Sequence, residues 1–351
     1  MLTDSGGHVN RKLVHRLASD VSALKKGGRS VALVSSGAIA FGMDALELRK
    51  RPKGMGILQA CAAVGQGRLM HAYSQSFDRH GLPAAQMLLT RDGLEDRARF
   101  LTARRTFDEV FKAGGVPVVN ENDTVATDEI AFGDNDVLSV HTAHLIRADL
   151  LIVLSDVDGF HLKDGSRVRG VGSIPEIDRD LVKHLRERKR ETTVGGMRAK
   201  LEAARKAMHL GIPMLIVDGG MKGVLARAVA GEDVGTLFSA RAKIEGSRKR
   251  WIAFAAARKG VVTVDRGAGA ALSRKKSLLP SGVHKAEGSF EAGDVIEIAG
   301  VDGVAIGRGV CAYSCRDIRR IAGKRSSEIS KILGRKGKDE VIHRDDIVLW
   351  S

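Results

Sequence analysis

Along the first 240 positions, short unbroken apolar runs alternate with longer segments of helical period. The runs are Val31-Ala32-Leu33-Val34, Val116-Pro117-Val118-Val119, Leu150-Leu151-Ile152-Val153-Leu154 and Met214-Leu215-Ile216-Val217. A strand that is apolar at every position is buried on both faces, as in the interior of a parallel sheet. The segments Asn10 to Lys26, Gly54 to His80, Arg99 to Ala113 and Gly196 to Leu210 read as helices. This alternation predicts an α/β fold, a three-layer αβα sandwich around a mainly parallel sheet. Beyond residue 240 the pattern changes. Arg248-Lys249-Arg250-Trp251 reads as a basic linker. Short strands at 261–265, 294–298 and 303–307, with turn signals between them, predict a small barrel-like β domain. The expected organisation is an α/β domain at 1–242, a linker at 243–258, a β domain at 259–341 and a tail at 342–351.

In open α/β sheets, ligands sit outside the carboxyl ends of the strands. Each predicted strand runs into small or polar residues there: Ser36-Gly37, Asn120-Glu121-Asn122-Asp123, Ser155-Asp156 and Asp218-Gly219-Gly220. The convergence is more informative than any one of them. Ser36-Gly37 lies at a strand-to-helix turn, where glycine lets the backbone approach an anion closely. Many α/β turns look like this without binding anything. The cluster from Asn120 to Asp123, followed by Gly133-Asp134-Asn135-Asp136, says more. Carboxylates accept from an ammonium group and amides donate to a carboxylate, so the set suits a zwitterion. Its spacing is unlike a calcium-binding EF-hand loop. Thr193-Val194-Gly195-Gly196-Met197-Arg198-Ala199-Lys200 opens a helix with a glycine pair and sets Lys200 one turn in. Such a turn cradles phosphate, although a plain helix start reads equally well and the Walker pattern is not met.

Composition narrows the classes. Hydrophobic residues make up 43% and charged residues 28% of the 351, and only 4% are aromatic, so the core rests on Ala, Val, Leu and Ile. No apolar stretch approaches the roughly 20 residues of a membrane span, and the first residues lack the pattern of a signal peptide. Cys61, Cys311 and Cys315 read as reduced thiols of a cytoplasmic protein. Neither the Cys311/Cys315 pair nor His141 with His144 makes a convincing metal site, because further ligands are lacking. The run Arg186 to Glu191 reads as a solvated loop. Net charge is +15, and residues 241–351 carry 23 Lys and Arg against 13 Asp and Glu. A basic face of this kind attracts polyanions, RNA among them, or serves solubility.

Taken together, these segments resemble the amino-acid kinase family, in particular its glutamate-phosphorylating branch. Val34-Ser35-Ser36-Gly37-Ala38-Ile39-Ala40, Ala63-Val64-Gly65-Gln66, Gln86-Met87-Leu88-Leu89-Thr90, Asn120-Glu121-Asn122-Asp123, Gly133-Asp134-Asn135-Asp136 and Gly195-Gly196-Met197 occur in the family's order. Arg248 to Ile252 and Leu278-Leu279-Pro280-Ser281-Gly282 resemble the entry and body of a PUA domain. The resemblance implies that Ser36, Gly37, Asn120, Asp123, Asp134 and Asn135 contact L-glutamate. It implies that Ser155, Asp156, Val194, Gly195, Gly196, Met197, Arg198, Ala199 and Lys200 hold ATP. Lys200 would neutralise phosphate charge and Asp136 would orient the lysine, with Mg²⁺ accompanying the nucleotide. It further implies a dimer or tetramer, proline as feedback inhibitor at the glutamate site, and glutamyl-phosphate reductase as the consumer of the product. The family also begins with an apolar strand leading into Lys-x-Gly-Ser, so a native chain extended before Met1 is expected. The competing readings are a kinase of another small substrate, such as acetylglutamate, aspartate or UMP, and an RNA-associated protein with a vestigial kinase half.

Overall fold

The computed structural model describes residues 10–125, 135–177, 181, 196–239, 249, 251–255 and 259–349. The chain divides into two compact units, one of residues 1–94 and 98–243, the other of 95–97 and 244–351.

In the first unit, helix α1 (Arg11–Lys26) starts where the side chain of Asn10 accepts a hydrogen bond from the Leu13 amide at 3.1 Å. It ends with Lys25 and Lys26, whose charge suits the negative end of the helix dipole. There follow β1 (Leu33–Val34), α2 (Ala38–Ala45), α3 (Met55–Asp78), β2 (Ala84–Leu89), α4 (Arg91–Glu95), α5 (Arg97–Lys112) and β3 (Val116–Glu121). Then come α6 (Asn135–Ile146), β4 (Leu151–Ser155), β5 (Gly170–Val171), α7 (Met197–His209), β6 (Met214–Asp218), α8 (Val224–Val229) and β7 (Gly235–Phe238).

The strands form two sheets, ordered β1-β3-β2 and β4-β6-β7-β5. Pairing is parallel throughout the first and in β4–β6 and β5–β7, and antiparallel only in β6–β7. The expected parallel character is thus present strand by strand, while the described strands divide into two sheets. Shared helices hold them. Val14, Ala18 and Val21 of α1 pack with α2, α3 and β3. Leu13 and Leu17 of the same helix pack with β6 and α8. On β3, Val116 and Val118 face that cluster, and Val119, pointing the other way, is equally buried. Helix α6 packs against β1, β3 and β4, so it too touches both sheets.

Helices α2 and α3 cross at backbone contact. A Cβ built on Gly65 would stand 1.8 Å from the Ala38 carbonyl oxygen, and one on Gly42 would stand 1.8 Å from that of Cys61. Both obstacles are backbone and cannot rotate away. Gly65→Ala is therefore expected to force the helices apart and cost roughly 1–3 kcal/mol, read as a lowered Tm. An unchanged Tm would show that the crossing yields freely.

The second unit carries β8 (Gly260–Val264), α9 (Arg266–Ser273), β9 (Val283–Gly288), β10 (Val295–Gly300), β11 (Ala305–Val310), α10 (Cys315–Ile321), α11 (Ile329–Leu333) and β12 (Ile347–Leu349). Its five strands run in the order β12-β11-β10-β8-β9. Alternate residues of β8 and β10, namely Val262, Val264, Ile296 and Ile298, meet Ile318, Ile321, Val341 and Ile342 in one core. Ile347, Val348 and Leu349 pair with β11, so most of the segment expected to be a tail is an edge strand of this sheet with its lead-in. The proposed linker lies largely outside the described residues. Cys61, Cys311 and Cys315 are free and buried. Burial pushes the Cys311 thiol up to about 12, which leaves it un-ionised.

Candidate active site

Topology fixes where the chemistry can gather. A helix linking parallel strands runs antiparallel to them, so its N-terminus stands at their carboxyl ends. Helix α2 follows β1, α6 lies between β3 and β4, and α7 precedes β6. The N-terminus of α2, with Gly37, therefore stands at the strand end carrying Ser36, and the Lys200–Asp136 contact joins the first turn of α7, which packs against β6, to that of α6, which packs against β1, β3 and β4.

At the end of β1, the Ser35 amide donates to the Val119 carbonyl at 2.9 Å, extending the β1–β3 pairing by one residue. Its buried hydroxyl lies 3.0 Å from the hydroxyl of buried Tyr73. Ser36 is thereby held exposed above an anchored Ser35. Gly37 follows with φ at 117°, a left-handed conformation that suits glycine, and leads into α2. On the neighbouring strand, Asn120 is buried and donates from Nδ2 to Gln66 Oε1 at 2.8 Å, which sets both amides. Beyond it the Asn122 amide donates to the Leu89 carbonyl at 2.8 Å, and Thr124 Oγ1 donates to Asn122 Oδ1 at 2.7 Å. Asp123, in the same turn, is pushed up to about 6 by burial, against an opposing pull from the Arg51 guanidinium.

Lys200 and Asp136 form the centre of the second group. Nζ lies 3.2 Å from Oδ2, with the lysine side chain 13% exposed and the carboxylate 17%. Asp136 sits in the first turn of α6, where the helix dipole favours an anion. Lys200 sits in the first turn of α7, where the same dipole disfavours a cation. Helix stability alone would not place a lysine there, and Asp136 offsets the conflict. Gly196 accepts from the amides of Ala199 at 3.0 Å and Lys200 at 3.4 Å. Met197 and Arg198 complete that first turn, whose leading N–H groups have no carbonyl partner within the helix.

At the end of β4, buried Ser155 donates to Asp156 Oδ1 at 3.2 Å, leaving Asp156 exposed. Ser155 pairs with Asp218 of β6, and the Gly219 amide donates to its carbonyl at 2.9 Å. Asp218 Oδ1 accepts from the Gly220 amide at 2.7 Å. Arg16 of α1 donates to the carbonyls of Gly219 and Gly220, tying this turn to the covering helix.

The structure thus brings Lys200 to Asp136, sets Ser36 and Asn120 on adjacent strands, and carries Asn135 on α6, the helix that packs against β1, β3, β4 and α7. Asp134, Val194, Gly195 and the run Arg186 to Glu191 lie outside the described residues. Sequence reasoning did not assign roles to Gln66, Tyr73 or Arg51. Gln66 beside Gly65, within Ala63-Val64-Gly65-Gln66, was the available signal. His144 is buried with its ring 5.5 Å from that of Phe100, a core position, and no group of three or more metal-capable side chains occurs among the described residues.

Comparison with known proteins places these observations. Residues 1–218 match the amino acid kinase family and residues 260–333 match the PUA domain. A protein named glutamate 5-kinase from Geobacter sulfurreducens is 44% identical over 99% of this chain and 95% of its own length. One from Geobacter metallireducens is 45% identical over the same shares of the two chains. A solved structure, the isopentenyl phosphate kinase of T. acidophilum in a product complex, aligns over 68% of this chain and 95% of its own, at 17% identity and a TM-score of 0.46. No described helix is long and apolar enough to cross a membrane. With a match across 1–218 and near full-length likeness to glutamate 5-kinases, this chain belongs to the amino acid kinase family and carries a C-terminal PUA domain.

Proposed function

We propose that the protein transfers the γ-phosphoryl group of ATP to the side-chain carboxylate of L-glutamate, giving glutamyl 5-phosphate, the first step of proline synthesis. The observation that carries this reading is the mostly buried Lys200–Asp136 pair between the first turns of α7 and α6, in a chain 44% identical to a glutamate 5-kinase. Asp123 and Asn120 would receive the ammonium group, while Ser36, the Gly37 turn and Asn135 would face the carboxylates. Asp134 is assigned to the same glutamate site. Ser155, Asp156 and the segment Val194 to Lys200 would hold the nucleotide.

A glutamate side chain is already ionised at neutral pH, so no general base is needed. One carboxylate oxygen forms a bond to the γ-phosphorus, the bond from that phosphorus to the β–γ bridging oxygen breaks, and ADP leaves with the electron pair. The obstacle is repulsion between an anionic nucleophile and a polyphosphate. Alignment and fixed positive charge overcome it, supplied by Lys200 and by free N–H groups at the start of α7. Asp156 and Asp136 are carboxylates of the kind that Mg²⁺ takes together with substrate phosphates, and the ion would supply further neutralising charge. Proline as a feedback ligand, a dimer or tetramer, and handover of the reactive acyl phosphate to a reductase belong to the same proposal, set in the cytoplasm.

An assay of ADP release across glutamate, acetylglutamate, aspartate and UMP tests it. Turnover with glutamate should exceed that with each other substrate by at least about 100-fold in kcat/KM, a discrimination expected when a site's buried polar groups must all be paired. A preference for any other member of the set overturns the assignment.

A further inference from the structure

Helices α1, α2 and α3 line a pocket of about 430 Å³, made of residues to which the proposed reaction gives no role. Its floor is apolar, with Val14, Phe41 and Ala72. Its walls are ionisable: Arg11 and His15 from α1, Asp44 from α2, Arg68 and His71 from α3. Two permanent cations and two imidazoles face one carboxylate, in a concave site with a dry base. That arrangement suits a small, doubly charged oxyanion.

One wall is chemically specified. Ser76 is buried, and its hydroxyl donates to the Ala72 carbonyl at 2.7 Å, one turn back in α3. A hydroxyl has a single hydrogen, so Ser76 must accept in its 2.8 Å contact with His15 Nδ1. The ring hydrogen is thereby fixed on Nδ1. In the neutral ring the remaining nitrogen, Nε2, is then an acceptor.

We propose that this pocket is a second anion-binding site, for a small dianion bearing phosphoryl or paired carboxylate groups. Arg11 and Arg68 clamp the charge, and Asp44 opposes it. None of its lining residues belongs to the site assigned to phosphoryl transfer, so its occupation stands or falls independently of that reading.

Isothermal titration of the whole protein with sulfate, and in parallel with malonate, decides it. Arg68→Ala, an exposed position, should weaken sulfate at least tenfold, and Lys200→Met should leave it unchanged. Stronger binding of sulfate than of malonate assigns a phosphoryl ligand, and the reverse a dicarboxylate. The proposal is overturned by absent binding of both anions at about 10 mM, or by binding that survives Arg68→Ala but not Lys200→Met.

Discussion

Lys200→Met is expected to lower kcat by at least about 100-fold while leaving the protein folded. The side chain is 13% exposed and its charge is matched by Asp136 at 3.2 Å, so methionine keeps much of the stem's packing and removes only the ammonium group. That group sits at the positive end of α7, where it costs stability. Its removal should be tolerated in the free protein, apart from the cost of leaving the mostly buried partner carboxylate unmatched. During transfer the charge on the phosphoryl oxygens has to be met by preorganised cations, and losing one such group costs 10²–10³-fold in comparable sites. The loss should appear in kcat more than in the KM for glutamate, because the lysine is aimed at the nucleotide. Asp136→Asn keeps the hydrogen-bonding shape without the charge and should lose less. Steady-state kinetics with a thermal melt on each variant checks this. Activity within threefold of the parent would remove Lys200 from the reaction and leave the pair as a structural ion pair.

How far the sequence disclosed all this depended on the element. Buried strands such as Val116–Glu121 and Met214–Asp218 declared themselves because every residue is apolar until the polar end. Helices α1, α3, α5 and α7 emerged within a few residues, since their period and end signals agree. Other strands were less legible. In β2, Met87 and Leu89 are buried while Gln86 and Leu88 are exposed, so the strand at the sheet edge alternates rather than running apolar. Strand β7 depends on Gly235, where a Cβ would stand 2.1 Å from the Ile216 carbonyl oxygen, a close approach that no local pattern records. At the site, the polar strand ends were readable from chemistry and position. The ties beneath them were not. Tyr73 under Ser35 and Gln66 under Asn120 lie 38 and 54 residues away from their partners and meet them only through packing. Lys200 and Asp136 were each legible, but their 3.2 Å pairing joins residues 64 apart, and the assignment of a shared role came from family resemblance.

Asp123→Asn should separate binding from stability in opposite directions. Burial raises the pKa of Asp123 to about 6, so the folded state holds the proton more tightly than the unfolded chain, whose value is near 3.8. The neutral acid thus contributes stability that is fully present below about pH 4 and lost as pH rises through about 6. Above pH 6 the folded protein carries an ionised, partly desolvated carboxylate that Arg51 partly offsets. Asparagine carries no such charge, so the variant should melt at or above the parent temperature at pH 7.5. The advantage should shrink as the pH falls towards 4. Function should move the other way. The carboxylate that burdens the empty protein is the group assigned to the substrate ammonium, and breaking a desolvated, hydrogen-bonded charge pair typically costs 2–5 kcal/mol. The KM for glutamate should therefore rise on the order of 100-fold, with a smaller change in the KM for ATP. In the parent, the same KM should climb as pH drops below 6, and this climb should vanish in the variant. A lower melting temperature with an unchanged KM would mean that Asp123 holds the turn after β3 together and that the ammonium group binds elsewhere.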